Sequence, residues 1–255
     1  MTPHQADHSE RRTITLAFHS MSDRLTWGST NYSPRRFRAL VERLRDSEFA
    51  SDETSIEFTF DDGYAHLHDV LPDLIREFSI QPVVFIPTAF IGQTNSWDYG
   101  GRFRQMCHLN ASEIQSLAQV GVIFGSHSHT HCDLTAISDS KLFEELSRSK
   151  LLLSEITGSS VTALSYPFGK LSPRVQSVAA ECGYREGYTM SFPGKTDAPL
   201  SRGRIPVYCF DTTSSIKAKV RGEGFRFRIE RIRTQFAQRL SAGTVLLQKL
   251  RGNRF

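Results

Sequence analysis

Apolar residues recur along this chain at two alternating periods. Thr13-Ile14-Thr15-Leu16-Ala17-Phe18 and Ser55-Ile56-Glu57-Phe58-Thr59-Phe60 carry the period of two that marks a strand. Val83-Val84-Phe85-Ile86, closed by Pro87, is a short continuous apolar run, as expected of a strand buried on both faces of a parallel sheet. Further strands are expected at 122–126, 162–166, 187–190 and 204–208. Between the strands the period lengthens to that of a helix. After Ser33-Pro34, an N-cap followed by proline at the first helical position, Phe37, Leu40, Val41 and Leu44 form one stripe. Leu67, Val70, Leu71, Leu74, Ile75 and Phe78 form a second, with Pro72 as a potential kink. Asn110 with Glu113 reads as a capping box opening a short helix, Asp139 to Thr157 as a longer helix stopped by Gly158, and Ser172-Pro173 as the start of another. Strands that alternate with helices in this way predict a parallel α/β sheet with right-handed crossovers, closed into a (β/α) barrel.

The strands end in chemistry. His19, Asp61, Asp62, His127, His131 and Phe168 each follow a predicted strand, and the C-terminal mouth of a (β/α) barrel is where reactive groups gather. Asp61 and Asp62 are adjacent carboxylates that repel unless a positive group sits beside them. A divalent cation answers that need, with one carboxylate as ligand and the other free to handle protons. Gly63 lets the chain turn sharply while both acids stay at the strand end. The run Ser126-His127-Ser128-His129-Thr130-His131 supplies imidazoles, and a His/His/Asp set leaves a coordination position open for water, the arrangement of catalytic zinc. His129 alternates with the other two and is not expected to be a ligand.

Thr59-Phe60-Asp61-Asp62-Gly63, then His127-x-x-x-His131, then Ser165-Tyr166-Pro167-Phe168-Gly169 resemble, in order and spacing, the polysaccharide deacetylase domain of carbohydrate esterase family 4. The resemblance covers about Ile14 to Val207. It implies a deformed (β/α) barrel of about seven strands that removes N-acetyl groups from amino sugars with a divalent metal. By that resemblance Asp62, His127 and His131 hold the metal, Asp61 is the general base, and Pro167-Phe168-Gly169 shapes the oxyanion site through the Phe168 backbone N–H. Two positions depart from the family pattern. Ser165 stands where many members carry an arginine that orients the base, and Val245-Leu246-Leu247-Gln248 offers glutamine where the late motif supplies a histidine acid. The version without that arginine is similar to the branch acting on poly-N-acetylglucosamine and related exopolysaccharides. In that branch the histidine motif precedes the acid pair, so Leu16-Ala17-Phe18-His19 fits it and His19 becomes the expected general acid. Arg204, at the barrel mouth, either orients Asp61 in place of the missing arginine or forms a surface ion pair.

The long segment 88–109 suggests a functional loop, in which Trp97 or Tyr99 either stacks on a sugar ring or pins the loop to the barrel. At 255 residues, with 39% apolar and 23% charged residues, the chain suits one large domain. The expected division is a disordered polar start (residues 1–12), the barrel (13–215) and a basic helical tail (216–255). Of the net charge of +4, the tail carries an excess of nine, leaving about five net negative charges on the rest. In the tail Phe225, Ile229, Ile232, Phe236 and Leu240 share a helical face surrounded by arginines, which either packs on the barrel or lies on an anionic membrane. No recognisable nucleic-acid-binding module accompanies it. Four scattered cysteines without a C-x-x-C pair, no secretory signal and no membrane span point to a reduced, cytoplasmic protein, peripheral at most to the inner face of the membrane. Zinc is the expected metal, with cobalt, nickel or manganese as substitutes. A same-fold hydrolase of another small amide (a formylated sugar or a cyclic imide) and a non-catalytic carbohydrate-binding relative are the alternatives.

Overall fold

The computed structural model describes residues 12–23, 30–47, 49, 54–95, 105–192 and 198–240. Trp97, Tyr99, Gln248 and the N-terminal segment before Arg12 lie outside them. Eight strand segments run β1 (Arg12–Phe18), β2 (Thr54–Phe60), β3 (Val83–Ile86), β4 (Ile123–Ser126), β5 (Ala163–Ser165), β6 (Glu186–Thr189), β7 (Arg202–Gly203) and β8 (Ile205–Pro206). Every pairing is parallel, and the order β7-β6-β5-β4-β3-β2-β1-β8 is sequential apart from the last step. That step closes the barrel. β7 pairs with β6 and β8 pairs with β1, so one stretch of chain reaches both edges of the sheet, and Arg204 is the single residue between its two halves. Seven strand positions with the seventh divided account for the eight segments, and the fold is the deformed (β/α) barrel.

The α-helices are α1 (Pro34–Arg45), α2 (Leu67–Phe78), α3 (Ala111–Gln119), α4 (Asp139–Thr157), α5 (Pro173–Glu181), α6 (Thr213–Arg221) and α7 (Gly224–Leu240), with short 3-10 turns at Thr88–Phe90, Leu134–Ala136 and Pro167–Gly169. Their ends follow local chemistry: Asn110 and Glu113 form both bonds of a capping box, and Gly158 ends α4 in the left-handed conformation. α2 continues through Pro72. The alternation along β1 and β2 sends Phe18, Phe58 and Phe60 outward against Phe37 of α1, with ring centroids 5.1 to 6.1 Å apart. The intervening residues, among them Thr59 and Asp61, turn inward. The lumen is filled rather than open: Phe85, Val83, Ala163 and Tyr188 pack together inside it. Gly125 makes room for them, since a Cβ there would stand 2.4 Å from the Phe85 ring.

The expected border at 215/216 falls inside α6, whose Ile216 and Val220 are buried and whose Lys219 ammonium is buried on Asp211, 2.6 Å away. α7 turns the opposite way from the packed reading of its stripe. Phe225, Ile229, Ile232 and Phe236 are exposed, while Glu230, Thr234 and Ala237 are buried on the side that meets α6 and the end of β6. The inner contact is made by small and polar groups and by Phe227, whose ring meets Phe192 edge-on.

Candidate active site

At the C-terminal end of β2 the chain delivers Asp61 and then bends at Asp62 and Gly63, both with positive φ. A side chain at Gly63 would be strained by the left-handed backbone, and its Cβ would come within 2.2 Å of Ile86 Cδ1, which would have to move. At the end of β4 a second irregular turn carries His127, Ser128 and His131, and at the end of β5 a third carries Pro167-Phe168-Gly169. Four of the five non-glycine residues with left-handed φ among the described residues belong to these turns: Asp62, Ser128, His131 and Phe168. Such conformations cost about 1–3 kcal/mol each and persist only where surrounding contacts impose them.

The first two turns bring Asp62, His127 and His131 into one buried cluster, and the third sets Phe168 beside it. The two Nε2 atoms lie 3.2 Å apart, and Asp62 Oδ1 lies 3.7 and 3.6 Å from them. Two ligands about 2.0–2.1 Å from one tetrahedral cation would be separated by about 3.3–3.4 Å, so this triangle fits a divalent metal. His127 donates its Nδ1 hydrogen to the Ser165 carbonyl at 2.8 Å, which fixes the tautomer and turns the Nε2 lone pair inward. Burial pushes both imidazoles below their usual pKa, His131 well below, so both are held neutral as ligands must be. His129 points elsewhere, with Nδ1 at 2.9 Å from Thr88 Oγ1.

Asp61, 1% exposed, faces the same cluster from the side, its Oδ2 3.9 Å from His127 Nε2. Arg204, the residue that divides the closing strand, is fully buried and grips it with two parallel bonds of 2.8 Å. The same guanidinium donates to Ser165 Oγ at 2.7 Å and Thr59 Oγ1 at 3.0 Å. It lies between the Phe85 and Tyr188 rings, 5.2 and 5.7 Å from their centroids. The small Ser165 therefore leaves the space that Arg204 fills from across the barrel. Burial by itself would raise the Asp61 carboxyl, but the Arg204 charge, with His127, holds it well below the usual carboxylate range.

His19 extends β1 one residue past the Phe18–Phe60 pair, level with Asp61, close enough that a charge on its ring would lower the pKa of both Asp61 and His131. The Phe168 ring packs edge-on to His131 at 4.8 Å between centroids. Two supports were not foreseen in the sequence. Glu145, buried in α4, accepts from the backbone N–H groups of His129 and Thr130 at 3.0 and 2.8 Å and from the Thr130 hydroxyl at 2.8 Å, clamping the histidine turn. His108, buried between the Tyr64 and Phe90 rings, donates to the Asp62 carbonyl at 2.6 Å and holds that bend. A glutamate beside the apolar stripe Leu142, Leu146 and Leu153 was the available signal for the first. For His108 there was none.

The depressed histidines make a stability prediction for the metal-free protein. The unfolded chain takes up protons near pH 6.5 that folded His127 and His131 refuse, so stability is present above that pH and falls as pH drops through it. Asp61, with its lowered pKa, adds a second loss in the same direction near pH 4 and below. The thermal midpoint measured at pH 7.5 should therefore exceed that at pH 5.5, and a flat profile would contradict neutral buried imidazoles.

The comparisons with known proteins agree with this architecture. Of solved structures, Streptococcus pyogenes deacetylase PplD, in complex with acetate, superposes with a TM-score of 0.68 at 17% identity, covering 82% of this chain and 98% of that one. A polysaccharide deacetylase from Bacillus cereus gives 0.68 at 22% identity over 83% and 69% of the two chains. IcaB from Ammonifex degensii gives 0.66 at 18% identity over 82% and 97%. At these identities the likeness is one of fold. YxkH of Bacillus subtilis, whose name assigns it to the polysaccharide deacetylases, is 22% identical over 68% of this chain, a match spanning 63% of that protein. The family model for polysaccharide deacetylase matches residues 50–187, more than half of the sequence and both the acid-pair and histidine turns, and the chain belongs to that family.

Proposed function

We propose that this chain is a divalent-metal-dependent hydrolase that removes N-acetyl groups from amino sugars of a polysaccharide or its lipid-linked precursor. The observation that carries the reading is Asp61, a second buried carboxylate held by Arg204 beside the Asp62–His127–His131 cluster. A protein that only bound saccharide would gain nothing from burying that acid there. Asp62, His127 and His131 would hold the cation, zinc by donor type, with cobalt, nickel or manganese as substitutes. When bound, it supplies Lewis acidity that polarises the amide carbonyl and acidifies a water. Asp61, kept ionised and aimed by Arg204, accepts the proton of the attacking water. His19, at the end of the neighbouring strand, donates a proton to the departing amine. The Phe168 N–H, in the turn shaped by Pro167 and Gly169, donates to the oxygen that becomes negative.

The test is acetate release from N-acetylglucosamine oligomers by the metal-loaded protein. Release should stop on chelation and return with added metal, and Asp61→Asn should lower kcat by about 10²–10⁴, the range for removal of a positioned base. Undiminished activity in Asp61→Asn would remove this mechanism. No acetate but turnover of formylated sugars or cyclic imides would instead identify a different amide substrate, and saccharide binding with no turnover a binding protein.

A further inference from the structure

The outer face of α7 is built unlike any other described helix of this protein. Phe225, Ile229, Ile232 and Phe236 follow at intervals of four, three and four residues and so form one continuous stripe along it. In a core helix that stripe would be inside. Here Phe225 is 78%, Ile232 66% and Phe236 65% exposed, while Glu230 is 3% and Thr234 1% exposed. By helical rotation Arg228 borders the stripe on one side and Arg226 and Arg233 on the other. The acid within the helix, Glu230, is turned inward and pairs with Arg233 at 3.1 Å, which leaves Arg226 and Arg228 as the positive charge beside the stripe.

We propose that this face docks on an anionic phospholipid bilayer, with the Phe and Ile side chains inserted at the level of the headgroups and the arginines among the lipid phosphates. Charge decides between occupants. A second copy packed stripe to stripe would bring two arginine borders together, whereas anionic lipid neutralises them.

Docking has a geometric consequence for the site. The inner side of α7 rests on the barrel mouth: Gln238 donates to the Met190 carbonyl at 2.8 Å, and Met190 follows β6 and abuts Gly169 of the Pro167-Phe168-Gly169 turn. Phe227 and Arg231 line a cleft with Met190, Phe192 and Pro206 at the same end. A bilayer under α7 therefore lies beside the mouth rather than beneath the closed end of the barrel.

Co-sedimentation of the full chain with vesicles tests the proposal without reference to catalysis. Vesicles of phosphatidylcholine and phosphatidylglycerol (3:1) should carry down at least ten times more protein than phosphatidylcholine alone, and the difference should shrink in 0.5 M salt. The pair Ile232→Glu and Phe236→Glu, both at exposed positions, should reduce binding at least tenfold with an unchanged circular dichroism spectrum and melting temperature. Arg226→Gln with Arg228→Gln should reduce it several-fold. Binding that survives the glutamate pair would reveal charge attraction without insertion and overturn the proposal. So would absence of binding by the full chain, a dimer dissociated by the same pair, or binding that appears only after removal of residues 241–255.

Discussion

Arg204→Met is expected to destabilise the protein by about 3–5 kcal/mol, because it strands the Asp61 carboxylate in the lumen without its partner. The variant must either keep an uncompensated buried charge or protonate Asp61, and a protonated Asp61 cannot accept the proton that the proposed reaction assigns to it. Acetate release should therefore fall by at least 10², with KM changed less than kcat. Arg204→Lys should recover little, since an ammonium cannot make the two parallel bonds to Asp61 while also reaching Ser165 and Thr59. The double variant Asp61→Asn, Arg204→Met separates stability from activity. With both charges gone it should regain much of the lost stability in urea melts and remain inactive. Full activity in Arg204→Met would discard the idea that this residue orients the base.

The second large effect concerns the cation. His127→Ala removes the proposed ligand whose tautomer is fixed by Ser165, and bound zinc measured by atomic absorption should fall from about one per chain to near zero, with acetate release at background. His129→Ala, two positions away, loses a contact with Thr88 Oγ1 at a cost of about 1 kcal/mol and should retain metal and rate. Equal damage from both would mean that the histidine turn as a whole, rather than the Asp62–His127–His131 triangle, is what matters.

The fold and the cluster were legible for different reasons. Helix stripes and strand alternation reflect burial, which is written residue by residue, so α4 and the four residues of β3 stand where the pattern puts them. The metal-type cluster was legible because its members follow strands, and a barrel gathers strand ends. Arg204 was half-legible. Its position at the mouth was clear, but that Ser165 vacates the space it occupies depends on two strands far apart in sequence. Glu145 and His108 act through backbone groups of other segments, which leaves almost no local trace. The outward turn of the α7 stripe could not be read at all, because periodicity gives a face its width and not its direction.

The divided seventh strand links barrel closure to the chemistry. The residue at the seam, bonded through its backbone N–H to Thr189 on one edge and flanked by the pairing to β1 on the other, is the one whose guanidinium aims Asp61. Parting of that seam would free Asp61 while β2 and β4, whose ends lead into Asp62, His127 and His131, stay paired through β3. On the proposed mechanism, gentle heating or dilute denaturant should thus silence turnover before the cation is lost.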